Sequence, residues 1–393
     1  MAPRDLPTPD ASEAAHSERL QQMIRHEIEQ AGGRMTFARY MELALYAPGL
    51  GYYSAGFQKF GAGGDFTTAP EISALFACCI ARQCQQVLRQ VPESDILEVG
   101  AGSGAMACDV LIECERLGCL PRQYLILELS AELRARQQVR LEQCVPHLMQ
   151  RVRWLDGLPQ PGFRGVVLAN EVLDAMPVHR FRLDEGVVSE RLVGHEAGRF
   201  VWRHGPVSDA ELAAYIDTLL PAMQGAPTVL ESEAGVMVSA WISSVAQVIE
   251  QGLLLLIDYG YPRHEFYHPQ RVQGTLQCHY RHHAHADPFR YPGLQDITAH
   301  VDFTAVAEAG HGAGLDVAGY TSQAFFLLAC GLMDRVGEMG GAGSTAEQLA
   351  LMQQVKRLTL PDEMGELFKV IALTRGIDTP LLGFSMRDNR GKL

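Results

Sequence analysis

Glu98, Gly100, Gly102 and Gly104 stand at alternate positions of the stretch Asp95-Ile96-Leu97-Glu98-Val99-Gly100-Ala101-Gly102-Ser103-Gly104. Glycines at that spacing clear side chains from where a ligand approaches the backbone, and the amphipathic helix predicted after them offers unpaired N–H groups. A nucleotide-like ligand suits such a turn. Further along, acids fall at the ends of apolar runs: Glu128, Asp156 (followed by Gly157), Glu171 (preceded by Asn170) and Asp258, with His300 and Asp302 flanking Val301. Carboxylates in such places can hold ribose hydroxyls, meet an exocyclic amine or grip a cationic acceptor through paired hydrogen bonds.

These residues need a scaffold that gathers strand ends. From Asp95 the chain alternates strand candidates at 96–99, 124–129, 152–155, 166–169 and 253–257 with helical periodicity, which predicts an α/β fold with a mostly parallel sheet covered on both faces. A further strand candidate lies at 368–373. Residues 1–15 read as a disordered arm, 16–94 as a helical region ahead of the sheet, and 95–376 as the sheet domain. Within that domain 178–250 looks like an insertion and 262–300 like a long loop dense in His, Arg, Tyr and Pro; 377–393 is a tail. A structureless loop of that length is functional or disordered. Thr68 and Glu71 match a capping box ahead of an apolar-periodic helix, which makes Glu71 structural and leaves Asp65 freer to act. Asp174 reads as the cap of the next turn, and Asp302 reads equally as a helix cap or a functional acid.

Composition narrows the class. The formal net charge of −13 argues against a nonspecific phosphate-binding surface, so nucleic acid is a poor partner. Nine cysteines without paired spacing fit a reducing compartment. The first thirty residues resemble neither a secretory signal nor an acid-poor transit peptide, and no run approaches the roughly 20 apolar residues of a membrane span. A cytoplasmic protein without membrane insertion is expected. Cys278, His279, His282, His283 and His285 match no zinc template, so no metal is expected.

The glycine turn fits two templates. As Gly-x-Gly-x-x-Ala, residues 100–105 are a dinucleotide fingerprint; from Glu98, as Glu-x-Gly-x-Gly-x-Gly, they resemble the first motif of class I S-adenosylmethionine methyltransferases. Glu98 favours the second, because a carboxylate there can meet the cationic methionine end of the donor and would repel a pyrophosphate. Glu128 is placed for the ribose, and Asp156-Gly157 for the adenine amine.

Beyond the turn, four blocks resemble the MidA family: Gly64-Asp65-Phe66-Thr67-Thr68-Ala69-Pro70-Glu71-Ile72-Ser73, Ala169-Asn170-Glu171-Val172-Leu173-Asp174-Ala175-Met176-Pro177-Val178, Ile257-Asp258-Tyr259-Gly260-Tyr261 and Thr298-Ala299-His300-Val301-Asp302-Phe303. The family comprises bacterial proteins and a mitochondrial complex I assembly factor. The resemblance implies a Rossmann-like class I methyltransferase sheet with an N-terminal helical region and an inserted subdomain, S-adenosyl-L-methionine as cofactor, and methylation of arginine in a protein, in the mitochondrial member a respiratory-complex subunit. Where the family has Gly-Glu after Leu75-Phe76, this chain has Ala77-Cys78. On this reading Glu98, Gly100, Gly102, Gly104, Glu128, Asp156, Gly157 and Asn170 hold the cofactor, and Glu171 and Asp258, with Asp302 and His300, serve the acceptor. A nicotinamide-dependent oxidoreductase and a non-enzymatic assembly chaperone on the same fold are the competing readings.

Overall fold

Seven runs rich in apolar residues form the main path of an eight-stranded sheet, and we number them β1 (Asp95–Val99), β2 (Tyr124–Leu127), β3 (Val152–Leu155), β4 (Phe163–Asn170), β5 (Ile249–Tyr261), β6 (Asp316–Ser322) and β7 (Phe368–Arg375). Their order is β6-β7-β5-β4-β1-β2-β3. Strands β1 to β5 are parallel, and β7 runs antiparallel between β5 and β6. The chain travels outward from β1 through β2 to β3, then returns to β4 on the other side of β1. That reversal opens a crevice at the carboxyl ends of β1 and β4, where ligands bind in open α/β sheets. The computed structural model describes residues 6–55, 67–225, 229–340 and 344–393.

The sheet belongs to a unit made of Thr67–Val172, Trp241–Gly260 and Phe303–Leu393. Ile96, Tyr124, Ile126, Val166, Leu168, Leu253, Leu255 and Ile257 are at most 2% exposed and share one core with the helices Ala74–Gln90 and Ala105–Arg116. Burial of each such aliphatic side chain contributes about 1.5–3 kcal/mol. The stretch read as a tail is docked on this core: Leu381 and Phe384 are buried in it, and the Asp388 carboxylate accepts from the Tyr320 N–H at 3.2 Å.

The second unit comprises Met1–Phe66, Leu173–Ala240 and Tyr261–Asp302. Its antiparallel sheet joins Arg34–Thr36, Val187–Glu196, His179–Asp184 and Val229–Ala234 in that order, with Arg199–Gly205 paired to Val187–Glu196. The helices Ala11–Gln30 and Phe37–Tyr46 share a core with Val193 and Phe200, and the helix Ala210–Leu219 shares another with Phe181 and Leu230.

Several sequence expectations change here. The arm expected at 1–15 is helical from Ala11, because Asp10 and Glu13 form a reciprocal capping box, and Leu6 is buried beside Tyr280 and Leu294. The helical region expected at 16–94 divides, since Thr67 onward belongs with the parallel sheet. The insertion expected at 178–250 ends earlier for the same reason, at Ala240. The long loop expected at 262–300 contains the helix Arg263–Phe266 and a three-stranded sheet, His283–His285, Gln277–Tyr280 and Asp296–Thr298. Those strands were hidden because only Cys278 and Tyr280 mark the buried face of the central one. Asp65 lies outside the described residues. Among the described residues no helix is long and apolar enough to cross a membrane.

Candidate functional site

All residues expected to hold the cofactor, together with Glu171 and Asp258, fall in the parallel-sheet unit. Gly100, Gly102 and Gly104 leave β1 with φ of 68°, 54° and 81°, the left-handed region that favours glycine. Gly104 is the N-cap of the helix Ala105–Arg116 and contributes no side chain to capping. The turn is therefore a bare backbone surface at the head of a helix, at the sheet's point of reversal.

Side chains behind the turn hold it. Glu128, buried at the end of β2, accepts from the Ser130 N–H at 3.0 Å and from the Gln137 amide at 3.1 Å. Burial raises its pKa, opposed by those donors and by the backbone N–H groups of Gly102 and Leu129. Gln137, fully buried, also donates to the Gly102 carbonyl at 2.9 Å and accepts from the Trp154 indole at 2.9 Å. Leu129, next to Glu128, is 81% exposed, an apolar surface that a flat ring could cover. Asp156 is almost wholly exposed and pairs with Arg134 at 2.8 Å.

Glu98, expected to meet the cationic end of the donor directly or through water, is a buried residue of β1. It is 1% exposed, and its carboxylate accepts from the Tyr124 hydroxyl at 2.5 Å. Burial, with the charge of Glu128 adding to it, pushes its pKa up to about 7, against the opposing pull of the Tyr124 hydrogen bond. A carboxyl raised in the folded state stabilises the protein fully below its unfolded pKa and loses that contribution as pH climbs through the folded value. Raising it from about 4.5 to about 7 corresponds to about 3 kcal/mol. Wild-type stability is therefore expected to fall between pH 5 and pH 8 by an amount that Glu98→Gln lacks. Urea midpoints at both pH values check this, and parallel pH slopes for the two proteins would refute it.

Two further acids stand at neighbouring positions of β4 and β5. Ile257 pairs with Asn170, and the Glu171 N–H donates to the Ile257 carbonyl at 2.9 Å, so Glu171 ends β4 beside Asp258 on β5. Glu171 has φ of 54°, uncommon for a residue with a side chain and costly enough to suggest a functional reason. The Asn170 amide donates to Glu171 Oε1 at 3.1 Å. Asn170 Oδ1 is buried with no hydrogen-bond partner among the described residues, so it can accept from a bound ligand. Asp258 is 1% exposed, and its carboxylate accepts from the Tyr259 N–H at 2.9 Å.

A reversal crevice, a bare glycine turn, an orphaned acceptor and an exposed leucine beside a buried acid suit a nucleoside with a polar amino-acid end. The family model described as "Putative S-adenosyl-L-methionine-dependent methyltransferase" matches residues 79–321, more than half of the chain. The chain belongs to this methyltransferase family. A crystal structure of a COG1565 superfamily member from Burkholderia thailandensis bound to S-adenosyl-homocysteine superposes with a TM-score of 0.93 at 47% identity, covering 99% of this chain and 100% of that one. "Protein arginine methyltransferase NDUFAF7, mitochondrial" from Danio rerio is 29% identical over 374 residues, 87% of this chain and 84% of its own length. The Homo sapiens protein of that name is 26% identical, over 89% of this chain and 83% of its own length.

In this methyltransferase the glycine turn is thus read as a donor site rather than a dinucleotide fingerprint. The structure also relocates Glu71. Thr68 makes no side-chain cap, and Ser73, in extended conformation, caps the helix Ala74–Gln90 instead. Glu71 turns to the glycine turn, accepting from the Ser103 hydroxyl and, at 3.0 Å, from Arg140. Nothing in local spacing could separate this from a capping box. Asp174 lies in a turn, where the Met176 N–H donates to the Leu173 carbonyl at 3.2 Å, and its own carbonyl accepts from the Ala299 N–H at 2.9 Å. His300 and Asp302 lie in the other unit. Asp302 pairs with Arg263 at 3.1 Å, and burial, then the charge of Arg271, lowers His300 to about 4. Among the described residues no group of three or more His, Cys, Asp or Glu could hold a metal ion.

Proposed function

We propose that this methyltransferase modifies arginine in a protein, with Glu171 and Asp258 holding the guanidinium. The observation that carries the reading is the pair of carboxylates at neighbouring positions of two adjacent parallel strands, Glu171 just past the end of β4 on strained backbone and Asp258 within β5. The names of the mitochondrial relatives support it. Gly100, Gly102, Gly104, Glu128, Leu129, Asp156, Gly157 and Asn170 would hold the donor, with Glu98 acting from beneath the turn. S-adenosylmethionine, when bound, supplies an electrophilic methyl group.

The protein's part is orientation, because methyl transfer is an in-line displacement. A guanidinium is always protonated near neutral pH and is a poor nucleophile. Two carboxylates can grip its fork, aim one nitrogen and offset its charge. The nitrogen that gains the methyl sheds one N–H proton, and the Glu171 carboxylate is placed to take it. No step here uses Asp302, which pairs with Arg263, or His300. A respiratory-complex subunit as acceptor rests on the family resemblance, and a cytoplasmic location rests on cysteine usage.

The test is labelled methyl donor added to lysate of the native host with purified protein. Label is expected in arginine of one or a few proteins after hydrolysis, with an intact-mass gain of about 14 or 28 Da per site. Label recovered only in other residues or in small molecules would sink the arginine assignment.

A further inference from the structure

We propose that Glu71 and Arg140 form a clamp that sets the conformation of the cofactor turn, making Glu71 a positioning residue for S-adenosylmethionine although it lies far outside the glycine motif. The proposal rests on reading residues 100–104 as the cofactor cradle.

A turn with three left-handed glycines has more conformational freedom in the unfolded and ligand-free chain than any other sequence would, so something outside it must choose its shape. Gly104, as N-cap, cannot help. Ser103 does so from one position upstream: its hydroxyl oxygen accepts from the Ala105 N–H at 3.3 Å. That hydroxyl is held in turn from two directions. It donates to Glu71, while the Arg140 guanidinium donates to its oxygen at 2.8 Å and to the Ser103 carbonyl at 3.5 Å. Arg140 closes the ring by donating to Glu71 Oε1 at 3.0 Å.

Arg140 lies three residues after Gln137 on the helix Ala131–Cys144, so the two side chains share a helix face. Gln137 fixes the Gly102 carbonyl and Arg140 fixes Ser103, two successive points of one turn. Glu71 adds an anchor from the segment ahead of β1. Asp109, on the helix after the turn, also feels both partners: the charge of Arg140 opposes the burial that raises its pKa, and that of Glu71 adds to it. Without Glu71, Ser103 keeps only one of its two side-chain partners.

Calorimetric titration of full-length protein with S-adenosylhomocysteine tests this, using wild type, Glu71→Ala, Arg140→Met, the double variant and Arg140→Lys. Each single change is expected to weaken binding about tenfold, and the double change little more than either, because a clamp fails as a unit. Arg140→Lys is expected to recover part of the loss. Hydrogen exchange separates positioning from general stability. In the ligand-free variants, amides at 102–105 are expected to exchange faster while those of β4 and β5 do not change, with protection returning at saturating ligand. Wild type that binds, with variants within twofold of it, would overturn the clamp alone. Exchange accelerated throughout the sheet, with unchanged affinity, would do the same. Wild type that fails to bind would overturn the cradle reading and the clamp with it.

Discussion

Gly104→Val is expected to reduce S-adenosylhomocysteine binding at least 100-fold while leaving a folded protein. The backbone at Gly104 has φ of 81°, where a residue with a side chain costs of order 1–3 kcal/mol and a β-branched one more. A Cβ there would stand 3.3 Å from both Cα and Cγ of Gln137. The Cα cannot yield without moving its helix, so the strain passes to the Gln137 amide that spans Glu128 and the Gly102 carbonyl. A 100-fold loss corresponds to about 2.7 kcal/mol, within what a displaced turn and a broken buried network can cost. Gly118→Ala is the control. It carries the same backbone strain, φ of 63°, just past the other end of the same helix, with nothing within 4 Å of its Cβ. It should lower the urea midpoint and leave affinity unchanged. Near-wild-type binding by Gly104→Val, measured by calorimetry, would remove the turn from the cofactor site.

The second large effect concerns Glu171. Glu171→Gln is expected to lower kcat for arginine methylation by at least 100-fold, with S-adenosylhomocysteine affinity within about threefold of wild type. The substitution keeps the volume and loses the charge that grips and deprotonates a guanidinium, an electrostatic contribution of the size removed with one charge-stabilising group at an active site. Glu171→Gly separates activity from stability. Glycine tolerates φ of 54° without strain, so this variant should fold at least as stably as wild type and be equally inactive. Loss of activity without loss of stability is the signature of strain kept for function. A Glu171→Gln enzyme within fivefold of wild type in single-turnover methyl transfer would shift the acceptor role to Asp258.

Both expectations draw on residues that were legible before any coordinates. Glycines at alternate positions after an apolar run require a strand, a turn and a helix, and each acid closing a later run requires a strand end; these are local patterns of period and conformation. The parallel sheet followed from the alternation of such runs. Elements whose signal is not local were missed. β6 carries Gly319 and Thr321 among its apolar residues, and the central strand of the three-stranded sheet in the other unit is marked by two buried side chains. Polar composition at 1–15 concealed a capped helix.

The sequence by itself determined the family and the chemical class of the cofactor, because the glycine turn and the acids that close apolar runs are properties of short stretches. Only the tertiary structure decided what surrounds them. Glu98 has its pKa pushed up to about 7 because the strands around it bury its carboxyl, against the opposing pull of the Tyr124 hydrogen bond that β2 supplies. Glu71 leaves its apparent cap because Ser103 and Arg140, 32 and 69 residues away, present a better partner than its own helix end. Asn170 and Glu171 neighbour Asp258 because β5 pairs in parallel with β4. Burial and charge pairing depend on neighbours distant in sequence, and no spacing rule within one segment can specify them.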